Sequence, residues 1–238
     1  MTVQRPARRP DDRARRGGTA ALVVAGCSAT AFVLLALLIS GKARPMLQID
    51  TWLSRSAHAA ALAHPGWRSA MAAVTVTGST AVLTPLTALG CAILLAFRRW
   101  RQAVFAAVAM VVVVCARLVV VAVIARPRPA DQLAPASNYS FPSGHSTASA
   151  AAALIAVLVC WPLLPRRWSR MMLAATAGFW AVAVGVSRVA LVVHWPSDVL
   201  GAWLFVVAVV PATGVLLRAV PGRDERPLSG CSPPSPDG

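Results

Sequence analysis

Three short polar clusters interrupt a chain that is otherwise largely apolar. The first is Arg126–Pro129, the second is Pro142–His145, and the third extends from Ser187 to Asp198. Together they contain two imidazoles, a carboxylate and several guanidinium groups. Guanidinium groups bind phosphate through forked, charge-assisted hydrogen bonds, and an imidazole oriented by a carboxylate can attack as a nucleophile. These residue types therefore indicate chemistry on a phosphate ester.

The second cluster directly precedes an apolar segment, so Ser143 and Gly144 are predicted to lie at the start of a helix. The free backbone N–H groups and the positive end of the helix dipole favour an anion at such a position. Glycine also lets the backbone approach a phosphate closely. The alternative is a serine cap and a turn, with His145 lying at the membrane interface.

The third cluster has a comparable arrangement. Pro196 suits the first turn of a helix, which makes Asp198 an early helical residue. His194 lies four residues before Asp198, so the carboxylate can accept a hydrogen bond from one ring nitrogen and leave the other free to attack. The alternative is that the helix dipole alone favours Asp198 and that His194 is interfacial. Arg128 and Arg188 end apolar segments, where arginines bind phosphate or extend toward the interface.

The scarcity of acids and the scattered cysteines exclude several other kinds of site. The chain has eight acidic residues, and no apolar segment contains a pair of them. Paired-acid catalysis of the glycosidase or aspartic-protease type and a two-metal phosphatase site are therefore disfavoured. The five cysteines have no paired spacing, which argues against a disulfide framework and against a cysteine zinc site.

Membrane-spanning helices must position these clusters. Hydrophobic residues make up 57% of the 238 residues, and a helix needs about 20 apolar residues to cross roughly 30 Å of hydrocarbon. The sequence predicts an all-α protein with six transmembrane helices in a bundle. The predicted spans are Thr19–Ser40, Ala70–Phe97, Ala103–Ala125, Ser146–Leu164, Met171–Val186 and Ser197–Leu217. We expect the fifth span to continue through Val193.

The net charge of +15 follows the pattern of membrane topology, which argues against a nucleic-acid partner. Arginines precede the first span and recur between the second and third and between the fourth and fifth. Basic residues in alternate loops mark the cytoplasmic side. Both termini are therefore predicted to be cytoplasmic, with the loops 42–69, 126–145 and 187–196 on the extracytoplasmic face of the cell membrane. All three polar clusters would then share that face.

The rest of the chain is predicted to flank a single membrane domain. Residues 1–18 form a basic cytoplasmic segment, 19–218 the six-helix domain, and 219–238 a disordered cytoplasmic tail. The first span is interpreted as a retained helix because its apolar run is longer than that of a signal peptide. In the first outer loop, apolar residues at helical spacing, with Asp50 among them, predict a short amphipathic helix on the membrane surface.

The polar clusters resemble the motifs of the type 2 phosphatidic acid phosphatase family, whose fold is shared with vanadium haloperoxidases. The family pattern is Lys-x6-Arg-Pro, then Pro-Ser-Gly-His, then Ser-Arg-x5-His-x3-Asp. The second element is complete at Pro142–His145, and the third is complete at Ser187, Arg188, His194 and Asp198. Motif order and the layout of the spans also fit, so the resemblance covers most of the chain.

The first motif element departs from the family pattern. Its arginine matches Arg128, but the residue seven positions earlier is Val121 instead of lysine. Taking Arg126 as the motif arginine places Val119 at the lysine position, so the mismatch remains. Arg117 lies one helical turn before Val121. It is either a further phosphate ligand or a buried polar residue at a helix interface.

The resemblance implies hydrolysis through a phosphohistidine intermediate. His194 is the expected nucleophile, Asp198 orients it, and His145 protonates the leaving oxygen. The expected phosphate ligands are Arg128, Ser143, Gly144 and Arg188, with Arg117 as an additional candidate. Family members need no metal, so no cofactor is expected.

We therefore expect a bacterial integral membrane lipid phosphatase that acts at the outer leaflet. The candidate substrates are phosphatidate, phosphatidylglycerophosphate and polyprenyl pyrophosphate, and the expected partners are this substrate and membrane lipid. One alternative is a non-catalytic phospholipid-binding or transport protein that retains the fold, which the missing lysine favours. Another is a zinc site formed by His145, His194 and Asp198. The oligomeric state is not indicated.

Overall fold

The computed structural model describes residues 10–136 and 138–219, with side chains described from Gly18 onward. Within these residues the backbone forms eight α-helices and the 3₁₀ turn Trp161–Leu163, and no strand. The helices are α1 Pro10–Ser40, α2 Arg44–Ala63, α3 Pro65–Thr77, α4 Thr80–Ala96, α5 Trp100–Ile124, α6 Gly144–Cys160, α7 Arg167–Ala190 and α8 Pro196–Ala219. The prediction of an all-α fold is confirmed.

Six segments are long and apolar enough to cross a membrane, and they match the six predicted spans in order. They are Gly18–Ser40, Pro65–Ala96, Trp100–Ile124, Gly144–Leu163, Arg167–Ala190 and Pro196–Ala219. Apart from Ala219, the predicted tail at 219–238 lies outside the described residues, as do residues 1–9 of the basic segment. Helix α1 already begins at Pro10, inside the segment that was predicted to precede the first span.

The fifth span ends earlier than expected. Helix α7 extends past Val186 but ends at Ala190, so the predicted continuation to Val193 is wrong. The cause is the backbone of Val192, whose φ of 55° is left-handed and stops an α-helix. This early end leaves a short turn between α7 and α8.

The second span is divided into two helices. Gly78 and Ser79 separate α3 from α4. A Cβ atom at Gly78 would collide with the side chain of Val184 on α7, so glycine is needed for this close approach. The division allows α3 to pack against α7, and it brings Thr75 of α3 to Arg188 of α7.

The main core lies between α5, α6 and α8. Its buried residues are mostly small or β-branched, which suits close packing of helices in lipid. They are Ala106, Ala109, Val113, Ala151, Ile155, Val159, Phe205, Val206 and Val210. Helix α1 packs on α8, and its Phe32 stacks on Phe141 with ring centroids 5.6 Å apart. Phe141 is completely buried and directly precedes Pro142, so this stack fixes the start of α6.

Helix α2 is the helix that was predicted in the first outer loop, and it is longer than expected. Its buried residues are Asp50, Ser54 and Ala61. The side chains of Ile49 and Trp52 are instead 55% and 67% exposed. The face turned to the protein is thus partly polar and the outward face apolar, which suits a helix lying in a membrane interface.

Candidate active site

The three polar clusters converge at one end of the bundle. The backbone N–H of Ser143 donates to the backbone carbonyl of Asp198 at 3.1 Å, which joins the start of α6 to α8. Arg128 Nη1 donates to the carbonyl of Val193 at 2.7 Å, which joins the α5–α6 loop to the α7–α8 turn. Residues that are far apart in sequence therefore form one site.

The α7–α8 turn holds His194 inside the protein. The N–H groups of Val193 and His194 both donate to the carbonyl of Arg188, at 3.2 and 3.3 Å. His194 is only 2% exposed as a result. Helix α8 begins at Pro196, and Asp198 lies in its first turn, as the sequence predicted.

His194 lies between a carboxylate and a guanidinium group. Its Nδ1 is 3.4 Å from Asp198 Oδ2, a long contact, and its Nε2 is 2.9 Å from Arg128 Nη1. Because arginine only donates hydrogen bonds, Nε2 must be the acceptor and carry the lone pair. The proton then resides on Nδ1, facing Asp198. This is the tautomer that a nucleophilic Nε2 requires.

The surroundings keep the His194 ring neutral. Burial lowers the pKa of this imidazole to about 4, since the charged form loses its hydration. The hydrogen bond and negative charge of Asp198 oppose this shift, while Arg128 and Arg188 add to it. At neutral pH the ring is therefore unprotonated at Nε2.

Arg128 is fixed by the backbone of its own loop. Its Nε donates to the carbonyl of Asn138 at 2.9 Å, and its Nη2 donates to the carbonyl of Tyr139 at 3.2 Å. Burial lowers the pKa of this guanidinium, and the charge of Asp198 opposes the shift. The group remains a cation at neutral pH, since arginine does not lose its proton in proteins.

The start of α6 presents free backbone donors beside His194. Among the described residues, none accepts a hydrogen bond from the N–H groups of Gly144, His145 or Ser146. The Ser143 side chain is fully buried, and its hydroxyl accepts a hydrogen bond from Ser146 Oγ at 2.9 Å. The predicted helix start is confirmed. Unpaired N–H groups at a helix N-terminus are suited to bind an anion.

Arg117 reaches the same place from the interior of α5. Its Nε donates to the carbonyl of Pro142 at 3.1 Å. A Cβ atom added to Gly144 would lie 3.0 Å from Arg117 Nη2, so the guanidinium lies directly against the start of α6. The structure therefore places Arg117 with the other predicted phosphate ligands.

Arg188 is buried and incompletely paired. Its side chain donates from Nη1 to Thr75 Oγ1 at 2.8 Å, while its Nε has no partner among the described residues. Arg188 is therefore a buried cation with an unpaired donor, which is unfavourable unless an anion binds beside it.

His145 lies close to the arginines. Its side chain is half-buried and makes no hydrogen bond within the described part of the chain, and the positive charges of Arg188, Arg117 and Arg128 act on it.

Sequence reasoning missed three residues behind the Asp198 carboxylate. Arg126 donates from Nη2 to Asp50 Oδ2 at 2.7 Å and from Nη1 to Asp198 Oδ1 at 2.5 Å. Ser197 Oγ accepts from Arg126 Nη1 at 2.7 Å and donates to Asp50. The sequence predicts Arg126 as part of the first polar cluster and as an alternative motif arginine, and it does not indicate the pairing with Asp50. The one available signal was Asp50, an acid among the regularly spaced apolar residues of a predicted interfacial helix.

The chain is similar in sequence to known proteins. Residues 103–219 match the family model of the PAP2 superfamily. Over 86 residues the chain is 37% identical to the phosphatidylglycerophosphatase B proteins of Escherichia coli K12 and Shigella flexneri. This alignment covers 36% of the chain and 32% of each relative, so the chain matches about a third of their length.

A solved structure is similar over most of the chain. It is the crystal structure of the first transmembrane PAP2 type phosphatidylglycerolphosphate phosphatase from Bacillus subtilis. The TM-score is 0.74 at 26% sequence identity, and the match covers 83% of this chain and 98% of that one. The overall fold is thus shared, and with the family-model match at residues 103–219 the chain belongs to the PAP2 superfamily.

Proposed function

We propose that this protein is an integral membrane lipid phosphatase that hydrolyses a phosphate monoester or pyrophosphate of a lipid through a phosphohistidine. The observation that carries the proposal is the setting of His194. Its Nδ1 faces Asp198, and its Nε2 faces the Arg128 guanidinium 2.9 Å away. The lone pair of this neutral imidazole is directed at Arg128, a residue that we propose binds the phosphate, so a phosphate bound there would lie within reach of the attacking nitrogen.

The groups around His194 form a binding site for a tetrahedral oxyanion. The N–H groups at the start of α6 and the guanidinium groups of Arg128, Arg188 and Arg117 supply donors to its oxygens, and Ser143 supports the same turn. The N–H groups at the start of α6 and the Nε of Arg188 have no partner among the described residues, so these donors can stabilise the charge of the transition state without first breaking other hydrogen bonds. The buried and unpaired Nε of Arg188 fits this role.

The reaction has two steps. In the first, the Nε2 lone pair of His194 attacks phosphorus and the bond from phosphorus to the lipid oxygen breaks. His145, which must be protonated in the complex with the anionic phosphate, donates a proton to that oxygen. In the second, water attacks the phosphohistidine, His145 accepts the proton of the water, and the phosphorus–nitrogen bond breaks. His194 Nδ1 keeps its proton throughout, and the Asp198 carboxylate that faces this nitrogen stabilises the positive charge of the modified ring.

The same geometry disfavours the zinc alternative. A metal ion would have to share the Nε2 lone pair of His194 with a guanidinium cation 2.9 Å away. A metal ion bound to Nε2 would lie close to this guanidinium, and two cations close together in a buried site repel each other. We therefore propose that the reaction proceeds without a metal.

The names of the relatives support a choice of substrate to test, and the basic residues of the loops support an orientation in the membrane. Because the relatives are named phosphatidylglycerophosphatases, phosphatidylglycerophosphate is the first substrate to test, followed by phosphatidate and polyprenyl pyrophosphate. From the basic residues in alternate loops we propose that the site lies on the extracytoplasmic face and that both termini lie in the cytoplasm. The proposed organisation remains a basic segment, one membrane domain and a short tail.

Phosphate release from these lipids tests the proposal. The purified protein is assayed with excess EDTA, beside His194→Ala and the matched control His58→Ala, a half-buried histidine on α2. We expect release that survives EDTA, disappears in His194→Ala and persists in His58→Ala. Release abolished by EDTA contradicts the metal-free reaction. No release from any lipid by the unmodified protein contradicts the phosphatase assignment.

A further inference from the structure

A buried chain of charges connects helix α2 to the candidate nucleophile. Asp50 on α2 pairs with Arg126, Arg126 pairs with Asp198, and Asp198 faces His194. Asp50 is 1% exposed, Arg126 7% and Asp198 0%, so water screens none of these contacts. This chain of charges starts at Asp50 on α2, which is not one of the six membrane spans.

The charges in this chain explain why a second carboxylate is needed. A single Asp198–Arg126 pair would be neutral, and the carboxylate would offer His194 little net attraction. With Asp50 present, one buried cation lies between two carboxylates, and the group as a whole keeps one negative charge. An isolated buried charge is costly unless an opposite charge forms beside it. Arg128 supplies part of that opposite charge, and the imidazolium-like ring that develops when Nε2 becomes bonded to phosphorus adds to it.

The contacts also hold the Asp198 carboxylate in one orientation. The two ends of the Arg126 guanidinium bind different carboxylates, so Asp50 sets the direction in which Nη1 points at Asp198 Oδ1. The backbone N–H of Ser197 donates to Asp50 Oδ1 at 3.0 Å, and its hydroxyl joins Asp50 to Arg126. The Trp195 ring covers the guanidinium at 5.6 Å. Asp198 Oδ2 then faces His194 Nδ1 and also accepts a hydrogen bond from the backbone N–H of Trp195 at 2.9 Å.

We propose that Asp50 is a positioning residue for catalysis, acting through Arg126 on the Asp198–His194 pair. The inference rests on the proposed phosphatase function and assigns α2 a part in the reaction. Asp50 does not contact the phosphate ligands Arg128, Arg188 or Arg117. Its loss should therefore slow the chemical step and leave binding of the phosphate group unchanged.

The test separates turnover from binding. Asp50→Asn keeps the size of the side chain and removes its charge, and misplacement of a reacting group costs on the order of a hundredfold in rate. We expect kcat to fall between about tenfold and a hundredfold, with KM and inhibition by inorganic phosphate changed less than about twofold. Ser54→Ala is the matched control, because Ser54 is also buried on α2 and lies outside the charge chain. It should retain the kcat of the unmodified protein.

A double variant tests the route through Arg126. If Asp50 acts through Arg126, Asp50→Asn combined with Arg126→Gln loses no more kcat than Arg126→Gln alone, whereas independent effects multiply. Unchanged kcat in Asp50→Asn, a rise in KM without a fall in kcat, or multiplied losses would each overturn the proposal. If Asp50→Asn does not fold, Ser197→Ala decides in its place. Its kcat should fall severalfold at constant KM, and an unchanged kcat overturns the inference.

The same experiment keeps the two proposals distinguishable. An unmodified protein that hydrolyses lipid phosphate, beside an equally active Asp50→Asn, removes only the role of Asp50. An unmodified protein that hydrolyses none of the lipids removes the phosphatase function itself.

Discussion

Arg128 Nη1 and His194 Nε2 lie 2.9 Å apart, so the lone pair of the proposed nucleophile points at a proposed phosphate ligand. Backbone carbonyls of Asn138 and Tyr139 hold the other nitrogens of this guanidinium in place. A phosphate bound by Arg128 would thus be held next to the attacking nitrogen. Binding and alignment are two effects of one contact.

The first prediction concerns this contact. Arg128→Lys keeps the positive charge but loses the fork that bonds to several acceptors at once. We expect kcat/KM for lipid phosphate to fall by about 100-fold to 1,000-fold, as for removal of one preorganised donor. Arg68→Lys is the control, since Arg68 is exposed and donates to the carbonyl of Leu133, which is not one of the proposed phosphate-binding residues. A kcat/KM equal to that of the unmodified protein would refute the role of Arg128.

The second prediction concerns protonation of His194. Because burial outweighs the opposing effect of Asp198, the pKa of His194 is about 4, below its usual value. The neutral, nucleophilic ring is thus fully present at pH 6 and is lost only as the pH falls through about 4. NMR titration of labelled histidine, assigned with His194→Ala, measures this directly. Asp198→Asn removes a group that raises the pKa and should lower the midpoint further. A midpoint near 6.5 contradicts the prediction.

The third prediction concerns the departure from the family motif at Val121. Arg117 lies one turn earlier on α5 and contacts the start of α6, so we expect it to supply the missing cation. Arg117→Gln should raise KM and weaken inhibition by inorganic phosphate about tenfold, the effect of losing one charge-assisted hydrogen bond. Adding Val121→Lys to that variant should restore much of the loss. If Arg117→Gln leaves both quantities unchanged, Arg117 is only a structural residue.

The fourth prediction concerns the packing that supports the start of α6. A Cβ atom at Gly201 would overlap the buried ring of Phe141, which directly precedes Pro142. Gly201→Ala should therefore destabilise the protein by about 1–3 kcal/mol through overpacking. Thermal unfolding in detergent measures the change. Gly178→Ala is the matched control, because no atom lies within 4 Å of its added Cβ. Equal melting temperatures for the two variants would contradict this account of the packing.

The helices and the motifs of the site could be predicted from the sequence because their signals are local. An apolar run long enough to cross a membrane identifies a span without knowledge of its neighbours. The spacing of His194, Pro196 and Asp198 within a few residues fixes a turn and the first turn of a helix. Local spacing was therefore enough to predict that His194 and Asp198 lie close together.

The remaining features depend on contacts between distant residues. Asp50 and Arg126 are 76 positions apart, and nothing near either residue indicates that they pair. The break at Gly78 exists because α7 lies against it, and the early end of α7 depends on one left-handed residue, Val192. Tertiary packing decides such details, and local propensity does not report it.

The most direct test of the account is mass spectrometry of the protein after rapid quenching during turnover of a lipid phosphate. The account predicts a phosphoryl group on His194, absent from His194→Ala and present in the Ser54→Ala control. The modification should be stable to alkali and labile to acid, as a phosphorus–nitrogen bond is. Turnover without any phosphorylated His194, or with the phosphoryl group on another residue, would contradict the phosphohistidine mechanism.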